Sequence, residues 1–141
     1  MMQYRKFGKS QNEVSILGFG CMRFPVHEGD SKKIDEEKSR EMLRYAFDHG
    51  VNYFDTAYPY HGGESERFVG RFLKEENIRN DIYLATKLPS WEVKSPEDFD
   101  RLFDEQLEKL QTDYIDYYLI HALNPNFWKA VTENGVFEWA G

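Results

Sequence analysis

Apolar and polar positions along this chain follow two rhythms, one of period two and one of helical period, and the switch between them recurs from end to end. Residues 3 to 7 (QYRKF) and 13 to 17 (EVSIL) are short extended runs joined by GKSQN, whose Gly, Ser and Asn suit a reversing turn; the chain is expected to open with a β-hairpin. The extended pattern continues or restarts at Leu17 to Gly20. Helical spacing takes over from Asp35, where Met42, Leu43, Ala46 and Phe47 share one face and Gly50 stands where a glycine stops a helix. Val51 to Asp55 is the next strand. Glu64 and Glu66 then open a second helix with a stripe of Phe68, Val69, Phe72 and Leu73. Ile82 to Lys87 is a largely apolar third strand, suited to a sheet covered on both faces. Ser95 as cap and Pro96 in the first turn start a third helix, with Phe99, Leu102, Phe103, Leu107 and Leu110 expected inside. Ile115 to Ile120 delivers His121, and Asn124-Pro125-Asn126 opens a last helical stretch around Phe127 to Val131 that Gly135 interrupts.

The strand ends at Gly20, Asp55, Lys87 and His121 are separated by 35, 32 and 34 residues, the length of one strand-loop-helix-loop unit. A polar residue at the C-terminal end of each strand is the habit of a parallel barrel, and a closed barrel takes eight units and about 250 residues. The prediction is therefore an α/β fold, the N-terminal half of a (β/α)8 TIM barrel: about four βα units preceded by a hairpin. An open doubly wound sheet is the rival. Its nucleotide fingerprint fails, because Gly18-Phe19-Gly20-Cys21-Met22-Arg23 puts Arg23 where the third glycine belongs. Gly18 reads as a glycine needed for close strand packing.

Length and composition narrow the field. At 141 residues and 40% hydrophobic content the chain is one domain or part of one. Its 18 basic residues are scattered against 25 acids, for a formal charge of −7, so nucleic acid and anionic membranes are poor partners. The single cysteine, Cys21, excludes an intrachain disulfide and any cysteine metal cluster; it reads as a small buried filler and fits a reducing, cytoplasmic setting. The N-terminus lacks the apolar core of a signal peptide, and no run approaches the roughly 18 apolar residues of a membrane helix. Four strands alone would leave the edges of the first and fourth exposed, so self-association through those edges is expected.

Adjacent strand ends in a parallel barrel lie side by side, which brings Asp55, Lys87 and His121 together with Tyr60 in the loop above. A phenol of reference pKa about 10 is a poor acid at neutral pH, and a neighbouring ammonium stabilises its phenolate. Lys87 can supply that ammonium, Asp55 can hold Lys87 in place, and His121 can hydrogen-bond a substrate oxygen. The set is a proton donor beside a carbonyl. Tyr58 competes with Tyr60; only the five-residue offset from Asp55 favours Tyr60, and Tyr58 reads as pocket wall or packing. Phe24 and Trp91 are further candidates for a substrate pocket. His61 and Glu64 lack a third ligand, so no metal site is expected and His61 reads as a solvated loop residue, with His27 and His49 on the surface. The Gly62-Gly63 pair hints at a phosphate cradle, but Glu64 and Glu66 would repel the anion.

Asp55-Thr56-Ala57-x-x-Tyr60, Ala85-Thr86-Lys87 and Tyr118-Leu119-Ile120-His121, together with YRKFGKSQNEVSILGFGCMRFP and LQTDYIDYYLIH, resemble the aldo-keto reductases over nearly the whole chain. The resemblance implies reduction of an aldehyde or ketone by hydride from NADPH. It makes Tyr60 the general acid, Lys87 its partner, Asp55 the support of Lys87, and His121 the residue that orients the carbonyl. It implies cofactor contacts from Gly20, Cys21, Met22, Arg23 and Asp55, and a small-molecule carbonyl substrate held among Phe24, Tyr58, Trp91 and His121. The wording of DTAYPYHGGESE is most similar to longer prokaryotic members that carry a C-terminal ferredoxin-like iron-sulfur region, which this chain lacks, along with strands five to eight. A non-catalytic relative that senses cofactor or serves as scaffold, or a truncated fragment, is the alternative reading.

Overall fold

The computed structural model covers residues 1–141. Two short strands, β1 (Tyr4–Lys6) and β2 (Glu13–Ser15), form the expected antiparallel hairpin with Arg5 opposite Val14. Four further strands, β3 (Phe19–Gly20), β4 (Tyr53–Asp55), β5 (Tyr83–Leu88) and β6 (Tyr117–Ile120), line up in chain order in one parallel sheet. The helices α1 (Glu36–Asp48), α2 (Glu64–Glu75) and α3 (Glu97–Leu110) make the crossovers, and α4 (Pro125–Glu133) with α5 (Val136–Ala140) ends the chain. This is the predicted succession of four βα units behind a hairpin. β3 and β6 are the sheet's two edges. No helix is long and apolar enough to cross a membrane.

Alternation along the strands sorts the side chains onto two faces. Phe54, Leu84, Thr86 and Leu88 face the helices and are fully or almost fully buried. Tyr53, Asp55, Tyr83, Ala85 and Lys87 occupy the alternate positions and therefore share the opposite, concave face. At the N-terminal end of that face Phe7 of the hairpin packs against Tyr53 and Tyr117, and Tyr83 against Tyr117, with Phe7 and Tyr117 ring centres 4.5 Å apart. Asn12 donates to the Tyr117 hydroxyl at 2.8 Å, and Asn52 exchanges hydrogen bonds with Ser15. The hairpin thus closes the end of the sheet away from Asp55, Lys87 and His121.

Local signals explain the helices. Asp35 caps α1 by accepting from the Lys38 amide, and Gly50 follows the helix with φ of 92°, a conformation easy only for glycine. α3 departs from expectation: Pro96 precedes its first turn, Ser95 makes no side-chain cap, and Asp98 instead reaches back to the Lys94 and Ser95 amides at 2.7 and 3.0 Å. A carboxylate accepts those amide protons more strongly than a hydroxyl does. The predicted faces hold for α2, whose Phe68, Val69, Phe72 and Leu73 are all buried, and less well for α1, where Leu43 is buried but Met42 lies exposed beside the β3 edge. On α3 Gln106 and Lys109 go inside with Phe99, Leu102 and Leu110, while Phe103 and Leu107 stay half-buried. Gly18 approaches Tyr53 closely, in keeping with its reading as a packing glycine.

Helices α2 and α3 touch backbone to backbone at Gly70, where an added Cβ would come within 2.5 Å of the Lys109 carbonyl oxygen. Gly→Ala in an ordinary helix interior stabilises by about 1 kcal/mol. Gly70→Ala should do the reverse, lowering the unfolding free energy by about 1–3 kcal/mol because main chain cannot give way. Urea denaturation checks the sign, and a variant at least as stable as the parent would contradict this contact.

Candidate active site

Lys87 lies one residue before the end of β5 on the concave face, 9% exposed, and its ammonium has three acceptors in reach. It donates to Asp55 Oδ2 at 2.8 Å, to the Thr56 carbonyl at 2.7 Å and to the Tyr60 hydroxyl at 3.2 Å. An ammonium carries three protons, so this set uses all of them. Nζ also sits 4.7 Å from the centre of the Tyr60 ring. Asp55 ends the neighbouring strand β4, in register with Ala85, and its carbonyl accepts from the Cys21 amide at 2.7 Å, which fixes the chain leaving β3 against the same point.

Tyr60 is placed by a short 3-10 turn, Tyr60–Gly63, in which His61 and Gly62 have positive φ of 55° and 61°. His61 makes that strained turn affordable. It is buried; its Nε2 accepts from the Phe24 amide at 3.0 Å, so Nδ1 carries the proton and donates to the Ser31 carbonyl at 2.7 Å. The expectation of a solvated loop histidine is thus corrected: two backbone partners from the β3–α1 connection satisfy the ring inside. Thr56, Ser65 and the Cys21 carbonyl form a second buried tie, with hydroxyl contacts of 2.9 and 2.8 Å.

His121 follows β6, its amide bound to the Leu88 carbonyl and its carbonyl accepting from Ser90 at 2.5 Å. Its ring stands edge-on to Tyr60 at 5.9 Å and 5.3 Å from Trp91. Nδ1 is buried with no hydrogen-bond partner, which leaves Nε2 as the nitrogen able to meet a ligand. Burial, and then the Lys87 charge, hold the imidazole pKa below its ordinary value. The structure therefore assembles a lysine-bound phenol, a neutral imidazole and an aromatic wall at the C-terminal end of the sheet. That arrangement can give a proton to an oxygen held between Tyr60 and His121.

Residues 16–134 match the sequence model of the Aldo/keto reductase family. The chain belongs to that family. It is 39% identical to aldo-keto reductase YhdN of Bacillus subtilis over 132 residues, which is 88% of this chain and 39% of that protein. Aldo-keto reductase AKR11C1 from Bacillus halodurans, in its holo form, superposes with a TM-score of 0.73 at 33% identity, over 96% of this chain and 48% of that one. An aldo-keto reductase from Klebsiella pneumoniae in complex with NADPH gives 0.70 at 27% identity over 95% and 47%. The chain spans about half the length of the solved relatives, and the part it spans is the first half of a TIM barrel.

Within this aldo-keto reductase half-barrel, other expected positions divide. Trp91 stands beside the His121 ring, with ring centres 5.3 Å apart. Phe24 does not line the site: it is 4% exposed and packs edge-on against Phe68 at 5.0 Å, because its amide is tied to His61 and the ring turns into the core. Of the two readings for Tyr58, pocket wall or packing, the structure takes packing. The Tyr58 hydroxyl donates to the Glu105 carboxylate at 3.2 Å and its ring lies over Lys109 at 3.9 Å, on the helix side. Burial and then Glu105 raise its pKa. Cys21 is the small buried filler the sequence suggests and not a free cofactor contact: the thiol is fully buried, burial pushes its pKa up, and its amide and carbonyl are engaged with Asp55 and Ser65. Gly20, Met22 and Arg23 remain available, with open space beside the Gly20 α-carbon and both side chains exposed. Thr56 and Ser65 were not foreseen as site supports, since nothing in a Thr or Ser by itself marks a buried anchor.

The depressed His121 pKa gives a pH prediction. Below the unfolded value of about 6.5 the unfolded chain binds more protons than the folded one. The contribution of neutral His121 to stability is therefore complete above that pH and is lost as pH falls beneath it. Proton NMR of the imidazole should show a midpoint below the ordinary value; a midpoint at or above it would contradict the burial and Lys87 account.

Proposed function

We propose that this chain supplies the proton-donating side of an NADPH-dependent carbonyl reductase. The observation that carries the reading is the Lys87 ammonium, shared among Asp55, the Thr56 carbonyl and the Tyr60 hydroxyl. The solved relative in complex with NADPH supports the choice of cofactor. Residues in this half fit one side of such a group: Gly20 leaves room for close approach, Met22 and Arg23 stand exposed after β3, and Asp55 lies on the same concave face.

When bound, NADPH supplies a hydride to the carbonyl carbon. As negative charge gathers on the carbonyl oxygen, Tyr60 gives that oxygen its phenolic proton, and the product is an alcohol. Lys87 stabilises the phenolate left behind, because an adjacent cation favours the charged form of an acid. Asp55 and the Thr56 carbonyl keep the ammonium from wandering, and water reprotonates Tyr60 afterwards. His121, neutral and with Nε2 free, donates to the carbonyl oxygen and sets its direction toward Tyr60. Trp91 closes the site on the β5 side. The substrate class is a small aldehyde or ketone.

The test is made on the completed barrel, this chain together with the strands that close it. Tyr60→Phe removes one oxygen and keeps the ring on His121. It should lower the rate of NADPH oxidation by a small aldehyde by about 10²–10⁴-fold with cofactor affinity unchanged. A Tyr60→Phe enzyme as fast as the parent would end this assignment.

A further inference from the structure

Behind the sheet, on the face opposite the Lys87 ammonium, lies a buried polar cluster that the proton-transfer chemistry does not use. Glu66 of α2 is 0% exposed. Its Oε1 accepts from the Thr86 hydroxyl at 2.7 Å and from Gln106 Nε2 at 2.5 Å, while Oε2 has no hydrogen bond. Lys109 offers no close pairing, since its Nζ stands 3.9 Å from Oε2 and turns to Glu105 at 2.7 Å. Burial raises the Glu66 pKa. A carboxyl held out of water with one oxygen unmatched is a poor device for stability, because an apolar or amide side chain of similar volume would cost less.

The cluster converges on the root of Lys87. Gln106, also fully buried, places Nε2 within 3.0 Å of the Lys87 carbonyl and 3.2 Å of the Thr86 hydroxyl, and its Oε1 accepts from Tyr118 at 2.6 Å. Thr86 and Tyr118 are register partners on β5 and β6, and Tyr118 lies three residues before His121. One amide therefore joins α2, α3, β5 and β6 directly beneath two of the four site residues. Lysine has a long side chain with many rotamers, so the three bonds at its ammonium form together only if the backbone beneath is held in place.

We propose that Glu66 and Gln106 are positioning residues for Lys87: through hydrogen bonds to Thr86 and to the Lys87 carbonyl they fix where the ammonium emerges beside Tyr60. What Lys87 then does rests on the reductase reading above; where it sits does not. Glu66 orients the Gln106 amide, and Gln106 holds the strand.

NMR of the 141-residue chain with isotope-labelled lysine tests this without any catalytic assay. The ring current of Tyr60 should displace the ε-methylene signal of Lys87, which is identified by its loss in Lys87→Arg. Gln106→Leu keeps the volume and suits a helix, but removes the clamp on the Lys87 carbonyl; Glu66→Met removes both accepted bonds. Both should move the signal toward the position of a free lysine. Glu66→Gln retains an oxygen for Thr86 and Gln106, and should leave the signal in place. A folded Gln106→Leu chain with an unmoved Lys87 signal would overturn the proposal, as would Glu66→Gln displacing it as far as Glu66→Met. Because the signal reports position, a failed reductase assay beside the expected shifts would count against the function and not against the clamp.

Discussion

An ammonium almost out of water at the end of β5 needs every proton matched, and this requirement organises the surrounding structure. An isolated buried charge is costly enough that a lysine would rather lose its proton or swing into solvent. Here Asp55, one strand away, the Thr56 carbonyl and the Tyr60 hydroxyl take the three protons. Each acceptor comes from the end of β4 or the loop that leaves it. The strand pairing of β4 with β5 is what makes residues 27 to 32 positions apart meet at one nitrogen.

Other features follow from holding those acceptors still. His61 pins the Tyr60 turn by bonding two backbone groups of the β3–α1 connection, and the Cys21 amide pins Asp55 from the other side. The hairpin seals the far end of the sheet with aromatic rings, leaving the lysine end for chemistry. His121 is held toward its neutral form by burial and by the same ammonium, so one cation meets the Tyr60 hydroxyl and also disfavours charge on its neighbour.

Much of this could be read from residue order alone, for a definite reason. A polar residue that ends an apolar strand is visible in one dimension, and a repeat of 32 to 35 residues says that such ends will lie side by side. That reasoning located Asp55, Lys87 and His121, and chain-order pairing of the strands upheld it. What could not be read depends on which way a loop side chain turns. Tyr58 and Tyr60 differ by two positions, and only the turn at His61 and Gly62 sends one toward Lys87 and the other toward Glu105. Phe24 and His61 went inward together because each supplies what the other lacks, an amide donor and a ring acceptor. Gln106 and Lys109 had a trace in the sequence, since they share the apolar face of α3 with Phe99, Leu102 and Leu110, but a polar residue on such a face declares its purpose only when its partners are known.

The central claim is that Lys87 acts on the reaction through Tyr60 and not beside it. A double-mutant cycle on the single-turnover rate of hydride transfer in the completed barrel measures this most directly. Residues that act as one unit are strongly non-additive. Once Tyr60→Phe has removed the phenolic hydroxyl, adding Lys87→Met should slow the enzyme little further, so that the double variant matches the slower single one. If the two losses multiplied instead, Lys87 and Tyr60 would be working independently, and the account of their shared proton would be wrong.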